Sequence, residues 1–473
     1  MNENQEIPNG WALTSIQDIA DVIMGQSPPS DTYNKDEIGI PFFQGKAEFS
    51  ELHPIVDKWC SKPNKIAKNN DILLSVRAPV GATNLADRKC CIGRGLAAIR
   101  YPHDYKFLYH YFCSIEEELD KKGTGTTFKA ISGDVIRNTK LHLPPLPEQH
   151  RIVAKIEELF SSLDRGIESL KTAQQHLKVY RQAVLKWAFE GKLTKSTLRQ
   201  AQGTVSPVVT VTEPDEVAET TDKEGDLPEG DALNLPKGWK WVKSGDLFSF
   251  VTSGSRGWAK YYSNEGAIFI RITNLDFDSL TLNLEESKIQ YIKPPSNSEG
   301  IRTKVLEGDF LFSITGYLGM FAIAPYLKNA FVNQHIALCR PKQGFNKKYV
   351  GYWVIAKTGG YHYLNKMTKG ATKAGLGLDD IKNFPVPFPA LSEQHAIVAE
   401  IESRLSVCDK TEESIEQSLK LSESLRQSIL KKAFEGKLVP QDPNDEPAAK
   451  LLERIKAEKV NNKLSKKGGT RKG

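Results

Sequence analysis

Cysteine is scarce in this chain and is spaced for no recognisable chemistry. The six cysteines of 473 residues include the adjacent Cys90 and Cys91, and none forms a Cys-x-x-Cys pair. A zinc site or a redox dithiol would need that spacing. A disulfide framework belongs to small secreted chains without a sufficient core, so buried, reduced thiols in a cytoplasmic protein are expected. A phosphate loop is missing as well. Gly45-Lys46, Gly191-Lys192 and Gly436-Lys437 are followed by Ala or Leu, not by the Ser or Thr that the loop requires. The glycine-rich GTGTTFK at Gly123–Lys129 lacks the strand and helix that flank a dinucleotide loop. No Asn-Pro-Pro-aromatic stretch, as amino-methyltransferases use around their target nitrogen, is present; HLPPLP and KPPS are proline turns.

Long hydrophobic runs are also few. The window Phe310–Leu327 approaches the length that spans a bilayer, but Gly316, Gly319 and Pro325 interrupt it. Two buried strands around a glycine turn fit it better. The first residues, MNENQEIPNGW, carry neither a basic region nor an apolar segment, so no signal peptide is expected. Hydrophobic residues make up 39% and charged residues 26%, the balance of a folded globular chain of several domains. The net charge of +6 permits an acidic partner such as nucleic acid without demanding one.

What the chain does have is a long repeat. EQHRIVAKIE at Glu148–Glu157 returns as EQHAIVAEIE at Glu393–Glu402. AFEGKL at Ala188–Leu193 returns at Ala433–Leu438 with the same offset, so neither segment has gained or lost a residue. The period is too long for a solenoid and indicates a duplicated domain. IPNGW at Ile7–Trp11 pairs with LPKGW at Leu235–Trp239, NNDILLSVR with EGDFLFSIT, and GLAAIR at Gly95–Arg100 with HIALCR at His335–Arg340. The offset is smaller at the start of the halves than at their ends, which places extra residues in the early loops of the second half. Short apolar runs between Gly, Pro, Asn and Asp clusters read as strands. YKFLYHYFCSIEEEL and KKYVGYWVIAK read as one short helix per half.

After Pro147 the periodicity changes. Ile152, Ile156, Leu159, Leu163, Leu170, Ala173, Leu177, Tyr180, Val184 and Trp187 step by threes and fours, skipping only Gly166, a heptad seam. In the second copy Ile401, Cys408, Ile415 and Ile429 fall in sevens, with Leu405 and Leu419 beside them. A helix of about 40 residues, about 60 Å long, must bury such a stripe against a partner, and the other copy is the natural one. Gly191 and Gly436 stand where a helix end favours a left-handed residue. The repeated Glu-Gly-Lys imitates part of a nuclease motif, yet its place at a helix end argues for a terminus. His150 and His395, as general bases, would need a nucleophile that nothing supplies; capping or helix packing suits them better.

Two strand-rich domains, each followed by a long helix opening PLPEQHRIVAKIE or PALSEQHAIVAEIE and closing AFEGKL, resemble the specificity subunit of type I restriction–modification systems. SVRAPVGATNLA…CIGRGLAAIR and SGSRGWAKYYSNEGAIFIRITNLD are similar to two of that family's target-recognition domain types. The resemblance implies an α+β fold, with two mixed α/β target-recognition domains separated by two long helices that form an antiparallel coiled coil with pseudo-twofold internal repeat. The expected divisions are residues 1–146 for the first target-recognition domain, 147–194 for the central helix and 195–235 for a linker. Residues 236–391 form the second domain, 392–440 the C-terminal helix, and 441–473 a segment that is helical and then a basic disordered tail. The resemblance further implies double-stranded DNA as ligand, read as a split site, and two methyltransferase subunits and restriction/translocase subunits as partners. S-adenosylmethionine, ATP and Mg are then expected on those partners, with no cofactor, metal or catalytic residue in this chain, and no membrane association.

Base edges are read by hydrogen-bonding side chains, and phosphates are held by Lys and Arg. The early loops offer both. Gln44, Lys46, Arg77 and Arg94 are the first-domain candidates; Arg256, Trp258, Lys260, Tyr261 and Arg271 are those of the second, with Lys369 and Lys373 as a backbone clamp. GRGLA in the first domain faces NQHIA in the second, so the two are expected to read different sequences. The rival readings are a self-contained DNA methyltransferase or nuclease with unrecognised motifs, and a coiled-coil scaffold that binds no DNA. Methylation by the isolated chain would favour the first rival, and salt-dependent DNA binding would eliminate the second.

Overall fold

The computed structural model describes residues 7–125, 129–193, 235–294, 301–368 and 375–469. The linker expected at 195–235 falls almost wholly outside them, as do Lys369 and Lys373. The chain forms two compact units, Met1–Leu170 with Glu416–Gly473, and Lys171–Ile415. Each unit is thus assembled from one strand-rich domain, the start of one long helix and the end of the other.

In the first unit the central sheet is antiparallel, in the order Asp21–Met24, Leu96–Arg100, Ile72–Ser75, Thr83–Leu85. The run ILLS is buried at every position, and the alternation of a strand sends its side chains to two different cores. Ile72 and Leu74 join the core shared with the long helices, whereas Leu73 joins a second core with Phe43, Ile92 and Leu96. The second unit repeats this with aromatics. Its sheet has the order Phe248–Ser253, Ile336–Pro341, Phe310–Ser313, Phe321–Ile323. Phe310 and Phe312 face the helix-bearing core, and Leu311 faces the other. The window that approached bilayer length is therefore two paired strands. Among the described residues no helix is long and apolar enough to cross a membrane.

A smaller sheet lies beside each central one. Ile40–Phe43 and Cys90–Ile92 run parallel in the first unit, as do Ala267–Ile270 and Ala330–Val332 in the second. A buried ion pair locks each central sheet. Arg100 grips Asp71 through Nε (2.8 Å) and Nη2 (2.6 Å); Arg340 grips Asp309 in the same way at 2.9 and 2.8 Å. The aspartates begin the DILLSV and DFLFSI strands, and the arginines end GLAAIR and HIALCR. The sequence reading of one short helix per half is incomplete. Tyr105–Ser114 and Lys347–Ile355 are those helices, and further short helices include Gly133–Asn138 and Leu378–Asn383.

The long helices, Leu146–Phe189 and Leu391–Phe434, have 44 residues each. Their shared EQH opening has a structural purpose. Gln149 accepts from Tyr101 Oη (3.1 Å) and donates to the Pro144 carbonyl (2.9 Å). Gln394 accepts from the Asn346 amide (2.9 Å) and donates to the Pro389 carbonyl (3.0 Å). His150 lies 3.9 Å from Asp104, and His395 lies 3.0 Å from the Asn346 side chain. Both partners are the N-caps of the neighbouring short helices, so the exposed histidines sit beside capping residues rather than in a core. Lys106–Glu157 (2.6 Å) and Lys348–Glu402 (2.5 Å) repeat the pattern two turns on.

In each unit the two helices run antiparallel. Ile152, Val153 and Ile156 pack in one core with Ile429, Leu430, Ala433 and Phe434, while further along Asp164 pairs with Arg426. In the second unit Val184, Leu185, Ala188 and Phe189 share a core with Ile397, Val398 and Ile401, and Arg181 bridges Asp409 (2.7 Å) and Glu412 (2.9 Å). Arg426 and Asp164 stand at the repeat-equivalent positions of Arg181 and Asp409, so one sequence repeat generates both cross-helix ion pairs. Cys408 and Ile415 are buried in the seam, whereas Tyr180 sits exposed at its edge. The closing phenylalanines anchor the ends: Phe434 against Phe107 and Tyr111, Phe189 against Tyr349 and Trp353. Ala448–Gly469 forms a last helix, whose Leu451 and Ile455 enter the first unit's core. The stretch for which disorder was expected is helical to Gly469, and residues 470–473 lie outside the described residues.

Gly191 and Gly436 have φ of +67° and +70°, the left-handed helix ends expected from the sequence. A Cβ on Gly436 would lie 2.6 Å from Pro8 Cγ. Gly166, inside a helix, has nothing within 4 Å of that position. Gly436→Ala is therefore expected to destabilise the chain by about 1 kcal/mol or more, and Gly166→Ala to stabilise it by about 0.5–1 kcal/mol; chemical denaturation of the two variants checks both signs. Burial pushes the His110 imidazole down to about 4, whereas in the unfolded chain it titrates near its ordinary value of about 6.5. Between those values the unfolded chain binds a proton that the folded chain does not, so stability falls as the pH drops through that window. His110→Phe should flatten this decline in thermal melts recorded from pH 7 to pH 4.

Candidate nucleic-acid interface

Four loops of the first domain meet where the two sheets adjoin, and glycines make the meeting close. Gly93 N–H donates to the Phe43 carbonyl (2.8 Å), Gln26 N–H to the Ile92 carbonyl (3.0 Å), and Val76 N–H to the Gly95 carbonyl (2.9 Å). A Cβ on Gly95 would lie 2.1 Å from the Gln44 carbonyl oxygen, and one on Gly25 at 2.1 Å from that of Gly93. Only bare backbone fits there. The junction thus carries Gln44 and Lys46 on one loop, Arg94 on the next and Arg77 on the third, all with exposed side chains. Arg94 N–H is held by Ser27 Oγ at 3.3 Å. The four first-domain candidates of the sequence are brought together.

The second domain builds the same junction with other residues. Asn333 N–H donates to the Ile270 carbonyl (3.1 Å) and Ile314 N–H to the His335 carbonyl (3.0 Å), and a Cβ on Gly254 would clash with the Asn333 backbone. The positions matching Gln44, Arg77 and Arg94 are Arg271, Thr315 and Gln334. Arg256 is exposed on the loop after Gly254. Arg271 is half-buried; its guanidinium donates to the Lys288 carbonyl at 3.3 Å. Lys260 is exposed and lies 5.0 Å from the half-buried Tyr261 ring. Trp258 is placed elsewhere. It is 3% exposed and stacks on Phe269 with ring centroids 5.4 Å apart, inside a small core with Ala267, Ile292 and Phe331. The glycine-rich, aromatic SGSRGWAKYY suggested a surface contact, but this tryptophan supports the loop from below.

Sequence reasoning missed four residues at the second junction. His335 Nδ1 lies 2.5 Å from Thr315 Oγ1, and its Nε2 lies 3.0 Å from Gln334 Nε2. Tyr317, 69% exposed, stands on the same loop as Thr315. The alignment of GRGLA with NQHIA was the available signal. The electrostatics separate structural from free cations. Arg100 and Arg340 are locked to buried aspartates, whereas Lys46, Arg77, Arg94 and Arg256 form no ion pair among the described residues. Unpaired exposed cations beside amide side chains can meet phosphates and base edges. Among the described residues no cluster of His, Cys, Asp and Glu could hold a metal ion. The thiols are ordinary core groups; burial pushes Cys90 up to about 12 and Cys91 to about 11.

The family profile described as the type I restriction modification DNA specificity domain matches twice, at residues 8–178 and 236–421. A Methanocaldococcus jannaschii protein, the type I restriction enzyme MjaX specificity subunit, is 37% identical over 201 residues, covering 41% of this chain and 46% of that one. The chain thus spans under half of that relative. The Escherichia coli type I restriction enzyme EcoBI specificity subunit is 24% identical over 477 residues, with 96% and 93% covered. The crystal structure of the HsdS subunit from Thermoanaerobacter tengcongensis aligns with a TM-score of 0.55 at 20% identity, covering 92% of this chain and 99% of that one. A chain from a structural study of type I R-M complex assembly aligns at 0.63 with 19% identity, covering 91% and 99%. These structures share the fold.

The two classes of residue at the junctions should separate under substitution. Trp258→Ala is expected to cost about 3–5 kcal/mol of stability, as for a large core aromatic. Arg77→Ala and Arg94→Ala should stay within about 0.5 kcal/mol of the parent. Urea denaturation of the three variants measures this; an Arg94→Ala variant as unstable as Trp258→Ala would show that Arg94 is bound into the structure.

Proposed function

The chain belongs to the type I restriction–modification DNA specificity family, and from that premise we propose that it reads a bipartite, asymmetric DNA site, one part with each domain. It is a DNA-recognition subunit and is not itself the catalyst. The observation that carries the proposal is the repeated junction. One backbone arrangement, closed by matching hydrogen bonds, displays Gln44, Lys46, Arg77 and Arg94 in the first domain and Arg256, Arg271, Thr315 and Gln334 in the second. Equal scaffolds with unequal side chains suit two different half-sites.

The long helices carry the second part of the proposal. Their equal length and repeat-related ion pairs suit a spacer that fixes the distance between half-sites, and their exposed outer faces, including Val407 and Leu421, suit docking of two methyltransferase subunits. In this reading the methyltransferases hold S-adenosylmethionine, and restriction/translocase subunits bring ATP and Mg, in the cytoplasm. The phosphate loop and methyltransferase motif that the sequence lacks then belong to those partners. The rival reading is a self-contained methyltransferase or nuclease, which methylation or cleavage by the isolated chain would favour.

Exchange of residues 236–391 for the second domain of another family member tests divisible recognition. In complex with the methyltransferase subunits, the hybrid should methylate sites with one half changed and the other retained, as read by sequencing modified adenines. Loss of a base-reading arginine should cost about 1–3 kcal/mol and relax one position, whereas loss of a phosphate-binding lysine should weaken all sequences alike. A hybrid in which both halves change would contradict independent reading.

A further inference from the structure

Arg94 and Gln334 hold the same place in the two domains. Each is the middle residue of the turn that leaves the parallel strand of the small sheet and enters the central sheet, Gly93–Gly95 in one domain and Asn333–His335 in the other. The first residue of each turn donates its amide to the end of the neighbouring parallel strand. The third offers its carbonyl to the strand that precedes Arg77 or Thr315. What differs is the side chain that the turn presents. Arg94 is exposed and has no side-chain partner among the described residues. Gln334 is half-buried and oriented.

That orientation follows from hydrogen-bond chemistry. The amide nitrogen of Gln334 can only donate, so His335 Nε2 accepts from it at 3.0 Å. The imidazole proton then sits on Nδ1 and is donated to Thr315 Oγ1 at 2.5 Å. His335 N–H is in turn tied to Asn333 Oδ1 at 3.0 Å. The chain Thr315–His335–Gln334 holds the carboxamide while leaving its Oε1 and one N–H without a hydrogen bond among the described residues. An acceptor and a donor side by side match the N6 and N7 edge of adenine, as the guanidinium fork of Arg94 matches O6 and N7 of guanine.

We propose that Arg94 and Gln334 are equivalent base-reading positions, with Arg94 selecting a guanine in the first half-site and Gln334 selecting an adenine in the second. His335 is the positioning residue for Gln334. The proposal rests on the reading of the chain as a bipartite DNA-recognition subunit.

The test uses the full chain in complex with its methyltransferase subunits and selection from randomised duplex DNA. Arg94→Gln should convert one guanine of the first half-site to adenine, and Gln334→Arg one adenine of the second to guanine. Each should show a change in discrimination of about 5- to 150-fold at that position only. Gln334→Ala and His335→Ala should both relax that same second-half position and leave the others intact. Unchanged preferences in the variants, or a parental first half-site without guanine, would overturn the assignment while bipartite recognition stands. Weakening of every sequence alike would overturn it too, by making these residues backbone contacts. A parental complex that selects no sequence at all would overturn the underlying reading.

Discussion

The structure depends on the burial of helix ends. Neither long helix can leave its apolar stripe in water, and neither domain has a complete core without them. Ile152, Ile156, Ile429 and Phe434 fill the first core; Val184, Phe189, Ile397 and Ile401 fill the second. At about 1.5–3 kcal/mol for each fully buried large aliphatic or aromatic side chain, removing either set of four would cost about 6–12 kcal/mol, comparable to the whole net stability of an ordinary domain. Each unit therefore needs the beginning of one helix and the end of the other. The glutamine clamps at the starts, the left-handed glycines at the ends and the prolines they meet follow from that requirement, and so does a chain that must travel along both helices to finish both cores.

On this scaffold the polar side chains divide by partner. Asp71 and Asp309 are buried, and their desolvation is offset by the bidentate arginines that grip them together with the Lys68 and Leu306 amides that donate to them; losing one partner of such a pair typically costs about 3–5 kcal/mol. The junction cations have no such tie and contribute little to folding. They are free to vary, and they do vary between the halves: Arg94 is replaced by Gln334, and Arg77 by Thr315. The close glycine contacts beneath them cannot vary as freely, since a side chain at Gly95 would meet backbone at once. Rigid backbone with changeable side chains suits the two different half-sites of the proposed function.

Much of the fold was legible because it rests on repetition and periodicity. The equal offsets, the heptad seam and the glycines of AFEGK led to two long helices that end just before those glycines, and DILLSV and DFLFSI led to the central strands. His150 and His395, for which capping or helix packing was expected, stay exposed and lie beside the N-cap residues Asp104 and Asn346. The site was less legible. Lys46, Arg77 and Arg94 could be named because exposed cations in Gly- and Pro-rich loops stand out. Trp258 misled because an aromatic beside Arg and Lys looks the same in sequence whether it faces a ligand or the core. Thr315, Gln334 and His335 were missed because their geometry comes from loops far apart in the chain, and no local spacing records a hydrogen-bond relay. The short helices at Gly133–Asn138 and Leu378–Asn383 are too brief to show a helical period.

The central claim, that the paired helices both complete the domains and set the spacing of what those domains read, is tested most directly by lengthening the helices. Seven residues inserted after Leu170 and seven after Ile415, at repeat-equivalent positions, would preserve the heptad seam and add about 10 Å. DNA rises about 3.4 Å per base pair along each strand. Sequencing of sites methylated by the complex containing the lengthened chain should find both half-sites unchanged and the nonspecific spacer about three base pairs longer, with some loss of affinity from the added rotation. An active complex that kept its original spacer would contradict the account.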